Sequence, residues 1–253
     1  MYFLRFCFLI SLVLLIGCDI SVNDPATGSG SKSSSKKEGV VRKKRSDGTL
    51  ATEITYQNQK KNGLAKYYYK NGKLRSEVMF KDDVKHGEAK LYYENEELYQ
   101  VTNYVEGKKD GIQRKYRDDG RLMAEVPYQM DWAGMGLVEY TLKGKPKKQY
   151  PKLEVKTTDR TLKDNQYIIR ASFSEPLKDV MYYVGDLSPK GFLHDELTRI
   201  APKPGGYLEI TYFVPPGTFL MEKLNIIAVG STILKNPYVA QKSINIAVEN
   251  KGF

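Results

Sequence analysis

Hydrophobic and polar positions in the first half of the chain alternate in short runs, with no stripe of helical period. At residues 67–75 the chain reads YYYKNGKLR: an aromatic run, Asn-Gly between lysines, then a new alternation from Leu74. This pattern predicts a tight β-hairpin, because the central residues of a two-residue turn need positive φ, which Gly adopts freely and Asn at low cost. On the second strand the period of two places Leu74, Ser76, Val78 and Phe80 on one face. A two-residue turn also sets Lys70 opposite Lys73, Tyr69 opposite Leu74 and, further in, Lys66 opposite Glu77.

The hairpin belongs to a series. Gly39, Gly63, Gly87 and Gly111 recur at a spacing of 24 and open four ungapped units. These are GVVRKKRSDGTLATEITYQNQKKN, GLAKYYYKNGKLRSEVMFKDDVKH, GEAKLYYENEELYQVTNYVEGKKD and GIQRKYRDDGRLMAEVPYQMDWAG. Leu50, Leu74, Leu98 and Leu122 form one column, and Tyr56, Phe80, Tyr104 and Tyr128 another. Tyr68, Tyr92 and Tyr116 fill a third, in which the first unit has Lys44. Asp47, Asn71, Asn95 and Asp119 precede Gly48, Gly72, Glu96 and Gly120 at the turns. Glu96 is therefore expected at positive φ, at a cost of about 1 kcal/mol. A fifth, degraded unit is expected from near Gly136, with Tyr140 and Gly144 in register, as a terminal cap.

The same offset pairs Arg42 with Glu53 and Arg114 with Glu125, whereas Lys90 meets Val101. Opposite charges set across a ladder contribute roughly 0.2–1 kcal/mol each, and these read as solvated ion pairs on a sheet face. Units of the form G-x-x-x-x-Y-[Y/R]-x-[N/D]-G-x-L-x-x-E-x-x-[Y/F] resemble the MORN-repeat variant family of bacteria over residues 39–134, and weakly to 150. The resemblance implies an elongated, twisted sheet of hairpins. Some members of that family carry an antitoxin label, and eukaryotic MORN proteins are linked to membranes and acidic lipids or act as scaffolds. No catalytic residue carries over.

After Tyr150 the repeat phase vanishes. Strand-like runs are expected near 153–158, 166–174, 179–185, 206–214, 223–230 and 238–248, separated by SEPL, DLSPKG, APKPGG, VPPGT and LKNP. LEITYF and LNIIAV have the composition of paired core strands, and INIAV is expected to close a hairpin with LNIIAV. Short strands without a helical segment predict a β-sandwich over 151–253, similar at fold level to immunoglobulin-like or fibronectin-III-like domains, although no disulfide or Trp supports that analogy. The fold class expected for the whole chain is all-β.

The N-terminus changes the setting. Residues 1–17 carry Arg5 and then an apolar run too short to span a bilayer, ending in Leu15-Ile16-Gly17-Cys18. This looks like the bacterial lipobox, with Cys18 the acylated first residue of the mature chain. The other cysteine, Cys7, leaves with the signal, which excludes disulfides and cysteine chemistry from the mature protein. Residues 19–38, rich in Ser and Gly, read as a flexible tether between the lipid and the repeats. The expected location is the bacterial cell envelope, the particular membrane and face being open.

Charge narrows the partners. The chain carries 40 Lys+Arg against 30 Asp+Glu, and residues 39–150 hold 23 basic against 16 acidic. An exported, lipid-anchored protein is not expected to meet nucleic acid, which leaves a protein, a glycan or an anionic lipid. The candidate binding surface comprises Tyr68, Tyr92, Tyr116, Lys66, Lys90 and Arg114, with the run Arg42, Lys43, Lys44 and Arg45 beside the tether. His86 reads as a polar link residue, and His194 with Asp195 and Glu196 as a surface loop. No phosphate loop, zinc spacing or nucleophile motif is present, so no enzyme, cofactor or metal is expected. The expected function is non-enzymatic binding by an anchored envelope protein; the alternative is an antitoxin or immunity protein that neutralises a toxin by direct binding. Cys18→Ala should abolish palmitate labelling and release the protein from the membrane fraction; a labelled, membrane-bound variant would refute the lipid anchor.

Overall fold

The computed structural model describes residues 37–252, so the leader, Cys18 and the tether to residue 36 lie outside the described residues. The described chain is all-β apart from one helical turn. Its first half is a single antiparallel sheet. The strands are β1 (Gly39–Lys44), β2 (Leu50–Gln57), β3 (Lys60–Tyr68), β4 (Leu74–Lys81), β5 (Val84–Tyr92) and β6 (Leu98–Val105). They continue with β7 (Lys108–Lys109), β8 (Gly111–Tyr116), β9 (Leu122–Gln129), β10 (Trp132–Ala133) and β11 (Val138–Glu139). Strands follow one another across the sheet from β1 to β10, with β7 beside β6 and β11 beside β9.

The hairpin at Asn71-Gly72 is present, but its turn is not the expected one. Tyr69 N–H donates to the Lys73 carbonyl (2.7 Å) and Gly72 N–H to the Tyr69 carbonyl (3.0 Å), closing a three-residue loop. Gly72 has φ 83°, while Asn71 is not at positive φ. Asn71 instead serves as an acceptor: its Oδ1 takes the Lys73 N–H at 3.0 Å. Asp47, Asn95 and Asp119 do the same for Thr49, Glu97 and Arg121, so the column needs a short side-chain oxygen rather than backbone freedom. Tyr68, not Tyr69, consequently opposes Leu74. A bulge that leaves Arg75 without a partner then restores the inner register, and Lys66 still faces Glu77. The other expected pairings, Arg42 with Glu53, Lys90 with Val101 and Arg114 with Glu125, are also present.

Two-residue turns occur at the opposite edge, in the links between units. Both central residues have positive φ at Asn58-Gln59, Asp82-Asp83, Glu106-Gly107 and Met130-Asp131, although all but one are not glycine. Hydrogen bonds to the preceding link hold the strained conformation. Asp83 N–H donates to the Lys61 carbonyl (2.9 Å) while Asp83 Oδ1 accepts the Lys61 N–H (2.8 Å), and Asp131 exchanges the same pair with Lys109. Gly63, at φ 108°, lets β3 bulge past Thr55, whose Cβ lies 3.4 Å from where a Cβ on residue 63 would stand. A fifth turn closes at Thr141–Lys145 in the same phase, as expected.

The second half is a β-sandwich. One sheet has the order β12 (Leu153–Arg160), β13 (Gln166–Phe173), β16 (Leu208–Phe213), with α1 (Thr161–Asp164) joining the first two. The other contains β14 (Lys178–Val184), β15 (Thr198–Ile200), β17 (Thr218–Ser231) and β18 (Pro237–Asn250), in the order β15-β14-β17-β18. Leu153, Ile169, Ala171 and Leu208 from the first sheet meet Tyr182, Ile226, Ala228 and Ile246 from the second in one buried core. β17 and β18 form the expected closing hairpin, but its register sets LNIIAV against residues 239–244 and INIAV against residues 220–224, and LEITYF lies in the other sheet, beside β13. The three-residue β15 carries no alternation and was not anticipated.

The array and the sandwich belong to one compact unit. Ile227 and Val239, on the outward side of β17 and β18, pack with Leu193 and Leu197 against Tyr128, Trp132 and Ala133 of the array. The β14–β15 loop also covers the end of the sheet: Leu193 N–H donates to the Ala133 carbonyl (3.1 Å) and Met135 N–H to the Gly191 carbonyl (2.9 Å). Glu96, at φ 73°, is the one non-glycine in the turn column of the four units. Glu96→Gly should therefore raise stability by about 1 kcal/mol in urea unfolding. An unchanged midpoint would show that the turn bears no strain.

Candidate functional site

The two faces of the hairpin sheet differ in kind. On one, a row of paired residues runs Val41, Ile54, Ala65, Val78, Ala89 and Thr102, and continues through Gln113 to Val126. The aromatic column flanks this row, and a lysine covers each ring. Lys37 Nζ lies 5.2 Å from the Tyr56 ring centre, Lys61 4.9 Å from Phe80, Lys85 4.9 Å from Tyr104 and Lys109 5.1 Å from Tyr128. Each contact contributes roughly 0.5–1 kcal/mol, and the methylene stems shield the ring faces from water. These lysines also recur every 24 residues, a column that goes unnoticed when only the aromatics are aligned. Lys37 and Glu38, assigned above to the tether, are part of the first unit: Glu38 Oε2 accepts the Asn58 N–H at 2.9 Å.

The opposite face carries a charged row. Arg42, Glu53, Lys66, Glu77, Lys90, Val101, Arg114 and Glu125 lie side by side across successive strands. Arg42 reaches Glu53 at 2.5 Å, Lys66 reaches Glu77 at 3.5 Å and Arg114 reaches Glu125 at 3.1 Å. Each glutamate also accepts a tyrosine hydroxyl from fifteen residues on: Tyr68 to Glu53, Tyr92 to Glu77 (2.9 Å) and Tyr140 to Glu125 (2.9 Å). Cation, carboxylate and phenol thus recur as a unit. The structure brings Arg42, Lys66, Lys90, Arg114, Tyr68, Tyr92 and Tyr116 of the expected surface onto this one face.

The basic run at 42–45 is not a single patch. Arg42 faces Glu53 on the charged face, while Lys43 pairs with Thr52 in a row of the other face. Lys44 is exposed at the end of β1. Arg45 is engaged in the fold: its guanidinium donates to the carbonyls of Leu50 (2.8 Å), Tyr68 (2.6 Å) and Tyr69 (3.3 Å). It heads a column in which Tyr69 donates to the Tyr92 carbonyl (2.6 Å), Tyr93 to the Tyr116 carbonyl (2.8 Å) and Arg117 to the Tyr140 carbonyl (2.7 Å). A long donor at residue 45, 69, 93 or 117 therefore ties each unit to the next. That signal stands in the aligned units as Arg, Tyr, Tyr, Arg.

A buried polar cluster joins the two halves. Lys115 Nζ donates to Asn236 Oδ1 (2.7 Å), Asn236 Nδ2 donates to Glu139 Oε1 (2.8 Å), and Thr232 Oγ1 donates to the same oxygen (2.5 Å). Burial pushes the Lys115 pKa down, reinforced by Lys109 and opposed by Glu139. Gln113 and Lys115 occupy positions where the second and third units have Ala65, Tyr67, Ala89 and Leu91. That departure was the available trace of a covered junction. His194 Nε2 donates to the Asp186 carbonyl (2.8 Å) in the loop beside the junction, and its neighbours Asp195 and Glu196 are exposed. His86 lines a shallow depression of about 340 Å³ with Lys81, Asp82, Val84 and Glu106. Among the described residues no cluster of His, Cys, Asp and Glu is arranged to hold a metal.

Two consecutive segments, residues 61–82 and 85–106, match the family model described as MORN repeat variant. Each match spans one hairpin, and the two starts lie 24 residues apart, so residues 61–106 carry MORN repeats of the variant type. No curated protein matches the chain.

The tyrosine–glutamate contacts set a pH response. Burial, then the Glu53 carboxylate, pushes Tyr68 up to about 12, and burial with Glu77 does the same for Tyr92. Hydrogen bonds from Tyr68 and Arg42 hold Glu53 below the usual glutamate range. The raised phenols stabilise the fold below pH 10, a contribution lost as pH climbs towards about 12. The Glu53 contribution has the opposite sense: it is present above the ordinary glutamate pKa and is lost as pH falls through the lowered value. Tyrosinate absorbance should follow this alkaline loss, and Glu77→Gln should lower the Tyr92 midpoint more than that of Tyr68, which Glu77 raises only through its charge. An unmoved Tyr92 midpoint would assign its whole shift to burial.

Proposed function

We propose that the protein is a non-enzymatic, lipid-anchored component of the bacterial cell envelope that binds a partner through the charged face of its hairpin sheet. The observation that carries this reading is the asymmetry of the sheet. One face is closed by its own lysines and, at the C-terminal end, by the sandwich. The other presents basic and tyrosine side chains in regular rows that remain partly exposed.

The sandwich supports the same reading as a second binding or assembly module. Its order of three strands against four suits the fibronectin-III-like or immunoglobulin-like domain that the sequence suggests. The lipobox-like Leu15–Cys18 segment supports anchoring, and residues 19–36 supply the tether that sets the sheet off the membrane. Toxin neutralisation is a binding function of the same face in which deletion of the gene becomes lethal beside an active toxin. Photocrosslinking of the full chain in cells, from probes on the charged face, tests the binding reading. A specific product should form with the wild type and be lost in Lys66→Ala/Arg114→Ala; a product that survives both changes places binding elsewhere.

A further inference from the structure

The charged row is interrupted at one place. In the first, second and fourth units a glutamate accepts from a basic residue eleven positions before it and from a tyrosine fifteen positions after it, as in Arg42–Glu53–Tyr68. The third unit keeps Lys90 and the next unit supplies Tyr116, but Val101 stands where the carboxylate belongs. Lys90 turns instead to Glu88 on its own strand (3.3 Å), an exposed residue. Among the described residues the Tyr116 hydroxyl has no carboxylate partner, unlike those of Tyr68, Tyr92 and Tyr140. Arg114 flanks Val101 from the other strand. With strands about 4.8 Å apart, the Lys90 and Arg114 backbones stand roughly 10 Å from each other across Val101, wide enough for one side chain to enter.

We propose that this gap is a docking site for an acidic side chain of a protein partner, whose carboxylate takes the place left by the missing glutamate between Lys90, Arg114 and the Tyr116 hydroxyl. The inference rests on the binding role of the charged face and names the chemistry recognised there. Three features point to a protein segment. Lys90 and Tyr116 are the donors that receive a glutamate in the other units, so their spacing suits a carboxylate, and Arg114, paired with Glu125, adds positive charge on the other side. Val101 offers an apolar floor that removes water from the ion pair. Ile112, on the same side of β8 as Arg114, and Met79, on the same side of β4 as Glu77, are exposed large apolar residues on this face. A partner carrying both acidic and apolar side chains fits such a surface, whereas a phosphate headgroup would leave the apolar residues uncovered.

Fluorescence anisotropy of the full chain with a labelled peptide of alternating glutamate and leucine tests the site. Val101→Glu supplies the carboxylate in cis and should weaken binding about tenfold or more, the size of one charge-assisted hydrogen bond, while raising thermal stability. Val101→Gln, of the same size but uncharged, should bind like the wild type, and Arg114→Gln should weaken binding. A glutamine version of the peptide should not bind. Equal binding by the Val101→Glu and Val101→Gln proteins, or equal binding of the glutamine peptide, overturns the site. Binding of phosphatidylglycerol vesicles with the same sensitivity to Val101→Glu overturns it in favour of lipid. If the peptide binds and responds to Lys66→Ala but not to Val101→Glu, the charged face stands as a binding surface and the site at Val101 falls.

Discussion

A sheet one layer thick has no second layer on which to bury its apolar face, so its own side chains must close over that face. The lysines of the link column do this. Each stem lies along an aromatic ring and its ammonium group stays above the ring face, hydrated at the tip and dry along its length. Small residues such as Ala65 and Ala89 lie between the large ones and bring neighbouring strands' covers together. The arrangement works only if every unit repeats the last, because the lysine beside one link, such as Lys61, covers the ring of the next unit, Phe80, while the link turn leans on the link before. This explains why the spacing of 24 tolerates no gap over four units.

The same dependence joins neighbouring units through polar contacts. Arg45, Tyr69, Tyr93 and Arg117 donate into carbonyls of the following unit, and the tyrosines at 68, 92 and 140 reach back to the preceding glutamate. An isolated hairpin has none of these partners and is barely stable in water. Tyrosine is abundant here for that reason: it supplies an apolar ring to cover the sheet and a hydroxyl that spans one strand spacing. Contact with a ligand is a further use of residues already engaged in the fold.

The end of such a sheet needs a cover, and here the sandwich provides it. The loop between β14 and β15 takes up hydrogen bonds beside Ala133, and the β17–β18 turn brings Thr232 and Asn236 over Lys115 and Glu139. Burying two opposite charges is costly unless their hydrogen bonds are satisfied, and Asn236 does this by accepting from the lysine and donating to the glutamate. The geometry of this cluster holds the halves in one orientation, a role that a purely apolar patch would perform with less directional control.

Much of this was legible in the chain. The all-β class, the four units, the ion pairs at Arg42, Lys66 and Arg114, the strained Glu96 and the closing hairpin of the sandwich all follow from local rules: a period of two, positive φ at turns, and a constant offset across a ladder. The turn type did not follow. Asn-Gly satisfies both a two-residue and a three-residue loop, and the choice rests on hydrogen bonds that Asn71 and Gly72 make only once the strands are paired. The link turns escaped for the same reason, since Asp82 and Asp83 hold positive φ by leaning on Lys61 of the preceding link. The cluster of Lys115, Glu139 and Asn236 escaped because its members stand up to 121 residues apart. The sequence by itself determined which residues repeat and which face each one takes, because both are set by short-range periodicity. Only the tertiary structure decided which face is closed and which polar groups of the two halves meet, because those depend on what distant parts of the chain bring alongside.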